Sequence, residues 1–127
     1  MTISMQEFDG NVRTIQPELL LQQLRSKRPV TILDVRAETA YRGPRGRIAG
    51  ARWVPLKELP ARCDVLDTHR FDPIVVVSGR GVRARLAARE LMLAGFTEVS
   101  ALSGGMERWS ELQLPVEVGS ESGPVDA

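Results

Sequence analysis

Ser78, Gly79, Arg80, Gly81, Val82 and Arg83 follow directly on the β-branched run Ile74-Val75-Val76-Val77 and lead into a helix-forming stretch. A loop of this kind can hold an anion. Backbone N–H groups turn inward where glycines relax the chain, and the positive end of the following helix adds to them. Gly79 and Gly81 suit close backbone approach, which leaves no room for a Cβ. Arg80 and Arg83 add full charges as stabilisers. Ser78, the first loop residue, stands where a nucleophile would meet the anion. A thiol in such a field ionises readily, whereas a hydroxyl is far less acidic and needs an adjacent general base.

Two other residues could carry nucleophilic chemistry, and neither is well placed. His69 is the single histidine and lies nine residues before Ser78, in an expected loop, where nothing positions it as the base of a triad. Cys63 sits beside Asp64 with no glycine nest and reads as a small structural residue. One cysteine also excludes an internal disulfide framework and a thiolate zinc site. No metal or organic cofactor is expected.

The elements that must position the loop alternate in type. Pro17–Arg25 reads as a short helix with Pro and Glu in its first turn. Val30–Val35 reads as a strand that ends in Asp34-Val35-Arg36, where Asp34 and Arg36 make a supporting pair. Ala37–Tyr41 reads as a helical turn, and Gly43-Pro44-Arg45-Gly46 as loop. Ala51–Leu56 reads as a short edge strand, and Lys57–Thr68 as irregular helix broken at Pro60. Ile74–Val77 has the continuous apolar character of a central parallel strand. Ala84, Ala87, Ala88, Leu91 and Ala94 line one face of a helix over Val82–Ala94, closed by Gly95. Glu98–Ala101 is a strand, Gly104-Gly105 a turn, and Met106–Leu112 a final helix. Trp53 and Trp109 read as packing residues. This alternation predicts an α/β fold, with a central, mostly parallel sheet of about five strands and helices on both faces. Ligands in such sheets bind beyond the carboxyl ends of the strands, where Ser78 falls. The expected organisation is an N-terminal extension over 1–14, one domain over 15–116, and a flexible tail over 117–127.

Composition narrows the function classes. The 127 residues carry a net charge of +1, unevenly spread. Between Arg36 and Arg89 twelve Lys/Arg face five Asp/Glu, against five and eleven in the rest of the chain. That puts a positive field around the loop. Aromatics make up only 5% of residues and do not interleave with the basic ones, which argues against nucleic acid. No apolar run is long enough to span a bilayer, and residues 1–10 lack a secretory pattern, so a cytoplasmic protein without a membrane partner is expected.

Four landmarks in order resemble the single-domain rhodanese family over roughly Ile15–Val116. Asp34-Val35-Arg36 with Glu38 and Tyr41 is similar to its D-V-R-x-x-x-E-[FY] segment, with Glu38 nearer the arginine than usual. Gly46-Arg47-Ile48-Ala49-Gly50-Ala51 is similar to G-H-I-x-G-A. Ser78–Arg83 is similar to the active-site loop C-x-x-G-x-R, and Leu102–Trp109 to the closing L-x-G-G-x-x-x-W. The resemblance implies thiosulfate-type sulfur transfer, in which a loop cysteine carries a sulfane sulfur as a persulfide. Four residues separate Ser78 from Arg83, where related phosphatase domains have one more and a wider cradle. The chain departs from the pattern at Arg47, expected with Asp34 and Arg36 as a supporting residue, where the family has His, and at Ser78, where it has Cys. With Ser78 no persulfide forms, and the chain as written is expected to be inactive while retaining an anion-binding loop. Two readings of Ser78 stay open. Either the domain is a non-catalytic binding or regulatory module, or serine replaces the cysteine of an active sulfurtransferase. Expected partners are a small sulfur anion such as thiosulfate and a thiol-bearing or acidic protein. The latter would dock on an arginine face that includes Arg45 and Arg47.

Overall fold

Strands and helices alternate along the chain as the patterning predicts, and the sheet they build extends further toward the N-terminus than expected. The computed structural model describes residues 7–26, 28–64, 66 and 70–119. In chain order the elements are β1 (Glu7–Asp9), β2 (Val12–Ile15), α1 (Pro17–Arg25), β3 (Thr31–Asp34), α2 (Glu38–Tyr41) and β4 (Arg52–Trp53). A 3₁₀ turn (Leu56–Glu58) follows, then α3 (Leu59–Arg62), β5 (Ile74–Val77), α4 (Val82–Leu93), β6 (Val99–Leu102) and α5 (Gly105–Glu111). The six strands form one sheet in the order β1-β2-β6-β5-β3-β4. Five run parallel, and β1 joins the edge antiparallel to β2.

Successive side chains of β5 point to opposite faces, and both faces are covered. Ile74 and Val76 pack with Ala84, Ala87, Ala88 and Leu91 of α4, together with Leu59 and Phe96. Val75 and Val77 pack on the other side with Leu20 of α1 and with Met106 and Trp109 of α5. This double burial is why the strand is a continuous β-branched run. The alanine face of α4 brings that helix close to the sheet, so its first turn stands directly over the end of β5. Phe96 N–H bonds to Leu91 C=O and Gly95 N–H to Met92 C=O, with Gly95 at φ +100°. That paired pattern closes α4 at the predicted glycine.

Three expectations are corrected. Residues 7–15 are a hairpin, not an extension. Gly10, at φ +65°, opens its two-residue turn, and Val12 is fully buried. Pro60 does not break a helix but sits in the first turn of α3, where its missing N–H is harmless. The tail begins with a paired residue: Glu117 and Arg47 exchange backbone hydrogen bonds of 2.8 and 2.9 Å. Residues 120–127 of the tail lie outside the described residues.

Candidate active site

Ser78 is buried at the carboxyl end of β5, and its Oγ accepts a 2.9 Å hydrogen bond from the Gly81 N–H. Gly81 makes that turn by adopting φ +106°, a conformation that side chains rarely tolerate. Gly79 behaves differently. Its φ is not positive, and a Cβ there would meet nothing within 4 Å. Of the two loop glycines, Gly81 is required by the backbone, while Gly79 faces open space.

A second pair of glycines sets the loop from outside. Gly104 and Gly105, at φ +76° and +59°, swing α5 against it, and Met106 N–H and Glu107 N–H bond to the Ser78 and Gly79 carbonyls, each at 2.9 Å. A Cβ on Gly105 would come within 2.4 Å of the Ser78 oxygen. In a planar trans peptide the C=O and the following N–H point in opposite directions. Anchoring both carbonyls on α5 therefore turns the Gly79 and Arg80 N–H groups away from it. The N–H groups of Val82, Arg83 and Ala84 open α4 and have no acceptor within the helix. The sequence marks Gly104-Gly105 as a turn; its action on the Ser78 loop follows only from the meeting of β5, β6 and α5.

The two loop arginines part company. Arg80 is exposed and leans on Glu107 (3.3 Å), away from the loop interior. Arg83 is also exposed but lines a cavity of about 470 Å3 with Val35, Trp53, Leu56 and Lys57, and with Glu38 and Glu58 as its acids. Val82 is exposed at the start of α4. On the other side of the loop, Gly79 borders an open groove of about 710 Å3 that includes Arg45.

Asp34 and Arg36 form a buried ion pair at the end of β3. The guanidinium binds both carboxylate oxygens and reaches the carbonyls of Ala40 and Gly46. It thereby ties the end of β3, α2 and the 43–46 loop into one unit beside Ser78. Trp53 adds a hydrogen bond to the Arg36 carbonyl and stacks on Tyr41 at 4.7 Å. Arg47 is buried as well. It donates to the carbonyls of Tyr41 and Gly119 and lies over the Tyr41 ring. Burial pushes the Tyr41 hydroxyl above its usual pKa, with the nearby Arg47 charge opposing the rise.

Cys63 lies at the C-terminal end of α3, where it lines a hollow against the last turn of α4, the end of that helix remote from Ser78. His69 lies outside the described residues. Among the described residues no helix is long and apolar enough to cross a membrane, and no group of three or more His, Cys, Asp or Glu could hold a metal ion.

Comparison with known proteins converges on one domain type. The profile of the rhodanese-like domain matches residues 16–112. The uncharacterised protein YibN of Escherichia coli K12 is 31% identical over 95 residues, covering 74% of this chain and 65% of YibN. The chain thus spans just under two-thirds of that relative's length. The thiosulfate sulfurtransferase GlpE of Coxiella burnetii is 31% identical over 87 residues, covering 68% of this chain and 78% of GlpE. Among solved structures, the rhodanese-related protein of Thermoplasma volcanium superposes with a TM-score of 0.73 at 26% identity, covering 83% of this chain and 97% of that one.

Proposed function

The chain belongs to the rhodanese-like domain family, and on that footing we propose that its fold is built for sulfane-sulfur transfer of the thiosulfate sulfurtransferase type, seated at position 78. In this reading Ser78 occupies the place of the sulfur-carrying thiol, and the chain as written binds the anion without turning it over. The observation that carries the proposal is the orientation of the loop. The Ser78 and Gly79 carbonyls are held by α5, so the Gly79 and Arg80 N–H groups turn away from it beside a buried side chain, at the positive end of α4.

A thiolate at position 78 would attack the outer sulfur of thiosulfate. The new S–S bond forms as the old one breaks, and sulfite leaves with the bonding pair. A second nucleophile, cyanide or a protein thiol, then takes the terminal sulfur and regenerates the thiolate. N–H groups of Gly79 to Arg83 would stabilise the negative charge through both steps, with Arg83 on the cavity side. Arg80, engaged with Glu107, contributes less. Ser78 lacks the means for the first step. Its hydroxyl faces the Gly81 N–H donor rather than a base.

The second reading is a non-catalytic module that docks an acidic partner on an arginine face. Exposed Arg45 beside the groove favours it. Buried Arg47 narrows the face, because that residue holds the tail and cannot also meet a partner.

Intact-mass analysis after incubation with thiosulfate separates the readings. Ser78→Cys, in a Cys63→Ser background, should gain the mass of one sulfur atom, lost again on adding cyanide, and the unaltered chain should gain none. Absence of the adduct in the folded variant would remove the sulfur-transfer reading.

A further inference from the structure

The opposite pole of the sheet holds a second concentration of positive charge that sulfur transfer does not use. At the amino ends of the parallel strands, under α1, lies a cleft of about 420 Å3. Its size is within the range of small-molecule sites, about 300–1,000 Å3. It lies about 13 Å from Ser78 along β5, taking about 3.3 Å per strand residue.

The register fixes what faces it. Val75 of β5, Ser100 of β6 and Arg13 of β2 sit side by side across three strands. Val75 belongs to the α1 face of the sheet, so Ser100 and Arg13 project there too. Arg13 is an unusual residue to place on that face. Its Nε is buried and has no hydrogen-bond partner among the described residues. Burying a guanidinium N–H without an acceptor is unfavourable, and such groups in folded proteins are nearly always paired. Arg28 lines the same cleft from the segment before β3. Neither arginine forms an ion pair among the described residues, nor do the side chains of Gln23 and Ser100 make hydrogen bonds there. Among the described residues of the lining Glu98 is the one acid, against the two arginines. Leu19 of α1, Val30 and Pro73 supply the apolar wall.

We propose that this cleft binds a small organic carboxylate with a hydrocarbon body. The carboxylate takes the fork of Arg13, with Arg28 closing from the rim. Ser100 and Gln23 complete its hydrogen bonds, and the hydrocarbon lies on Leu19 and Val30. A guanidinium presents parallel N–H donors that match a carboxylate, and the partly apolar wall favours an organic anion over an inorganic one. The site is independent of the chemistry at position 78.

The test is an amide-resolved NMR titration of the unaltered chain with 4-methylpentanoate, beside 4-methylpentanamide and inorganic phosphate. Saturable shifts for Leu19, Gln23 and Ser100 are expected with the carboxylate, while Gly79–Arg83 stay unmoved. Arg13→Gln should weaken binding about tenfold or more, as loss of a charged hydrogen bond does. Arg28→Gln should weaken it too, and because Arg28 is exposed this variant tests the site without threatening the fold. The proposal fails if no saturable shift develops, if affinity is unchanged in Arg28→Gln, or if the amide or phosphate binds as well as the carboxylate.

Discussion

Replacing Gly105 with alanine tests how the Ser78 loop is held. The added Cβ would lie 2.4 Å from the Ser78 oxygen and 2.6 Å from the Gly79 carbonyl carbon and oxygen, against 3.4 Å for ordinary contact. Relief requires α5 and the loop to separate by about 1 Å. That stretches the bonds from Met106 and Glu107, now 2.9 Å, beyond hydrogen-bonding range. Two net hydrogen bonds are worth about 1–3 kcal/mol together. Holding a side chain at φ +59° costs about 1–2 kcal/mol more. The expected loss is about 2–5 kcal/mol, or roughly 6–25 °C in Tm at roughly 3–5 °C per kcal/mol for a chain of this size. Gly79→Ala is the matched control. Its Cβ meets nothing within 4 Å and its φ is not positive, so its stability should change by less than about 1 kcal/mol. Urea unfolding of both variants measures the difference. Equal stability of the two would refute the idea that contact between α5 and the loop carbonyls sets the site.

Three further outcomes follow from the site. Thiosulfate or sulfite should raise the Tm of the unaltered chain; Arg83→Ala should abolish the shift, and Arg80→Ala, which loses mainly an exposed contact with Glu107, should keep most of it. Arg47→Ala should destabilise the fold by about 3 kcal/mol or more in urea, because buried carbonyls lose their charged donor, while exposed Arg45→Ala should stay within about 0.5 kcal/mol. Tyr41 is the only tyrosine, so phenolate absorbance reads it directly. Burial raises its pKa above 10.0, so the folded state holds the proton more tightly than the unfolded chain. That contribution is complete below pH 10.0 and is lost as the pH climbs through the folded value. Ionisation at 10.0 or below in the native protein, or an unchanged alkaline loss of stability in Tyr41→Phe, would contradict it.

The parts of the fold legible in the sequence are those set by local pattern. Ile74–Val77 is read to the residue because burial on both faces leaves an uninterrupted β-branched run. The face of α4 and its stop at Gly95 are read because small residues recur at helical spacing before a glycine. The hairpin at 7–15 was missed although Asp9-Gly10 is a turn signal, because its strands are short and β2 acquires its burial only by pairing with distant β6. Arg47 reads in the sequence as a supporting residue within a loop of arginines that is either a solvated face or a rim for an acidic partner. Its burial depends on Tyr41 and on residues 117–119, which the sequence does not bring near it. The loop residues around Ser78 were identified from their types, but the force that orients them was not. Of the two glycines expected to matter, Gly81 is needed at φ +106° but Gly79 is open, while Gly105 comes from a different strand–helix connection. Tertiary closeness, not local preference, decides each of these.

We propose position 78 as the seat of sulfur transfer, with a thiol as the one missing part. A thiosulfate:cyanide sulfurtransferase assay on this chain beside its Ser78→Cys variant tests it most directly. Thiocyanate formed by the variant alone is the predicted result. A folded Ser78→Cys protein that forms none, or an equal rate from the unaltered chain, would contradict the account.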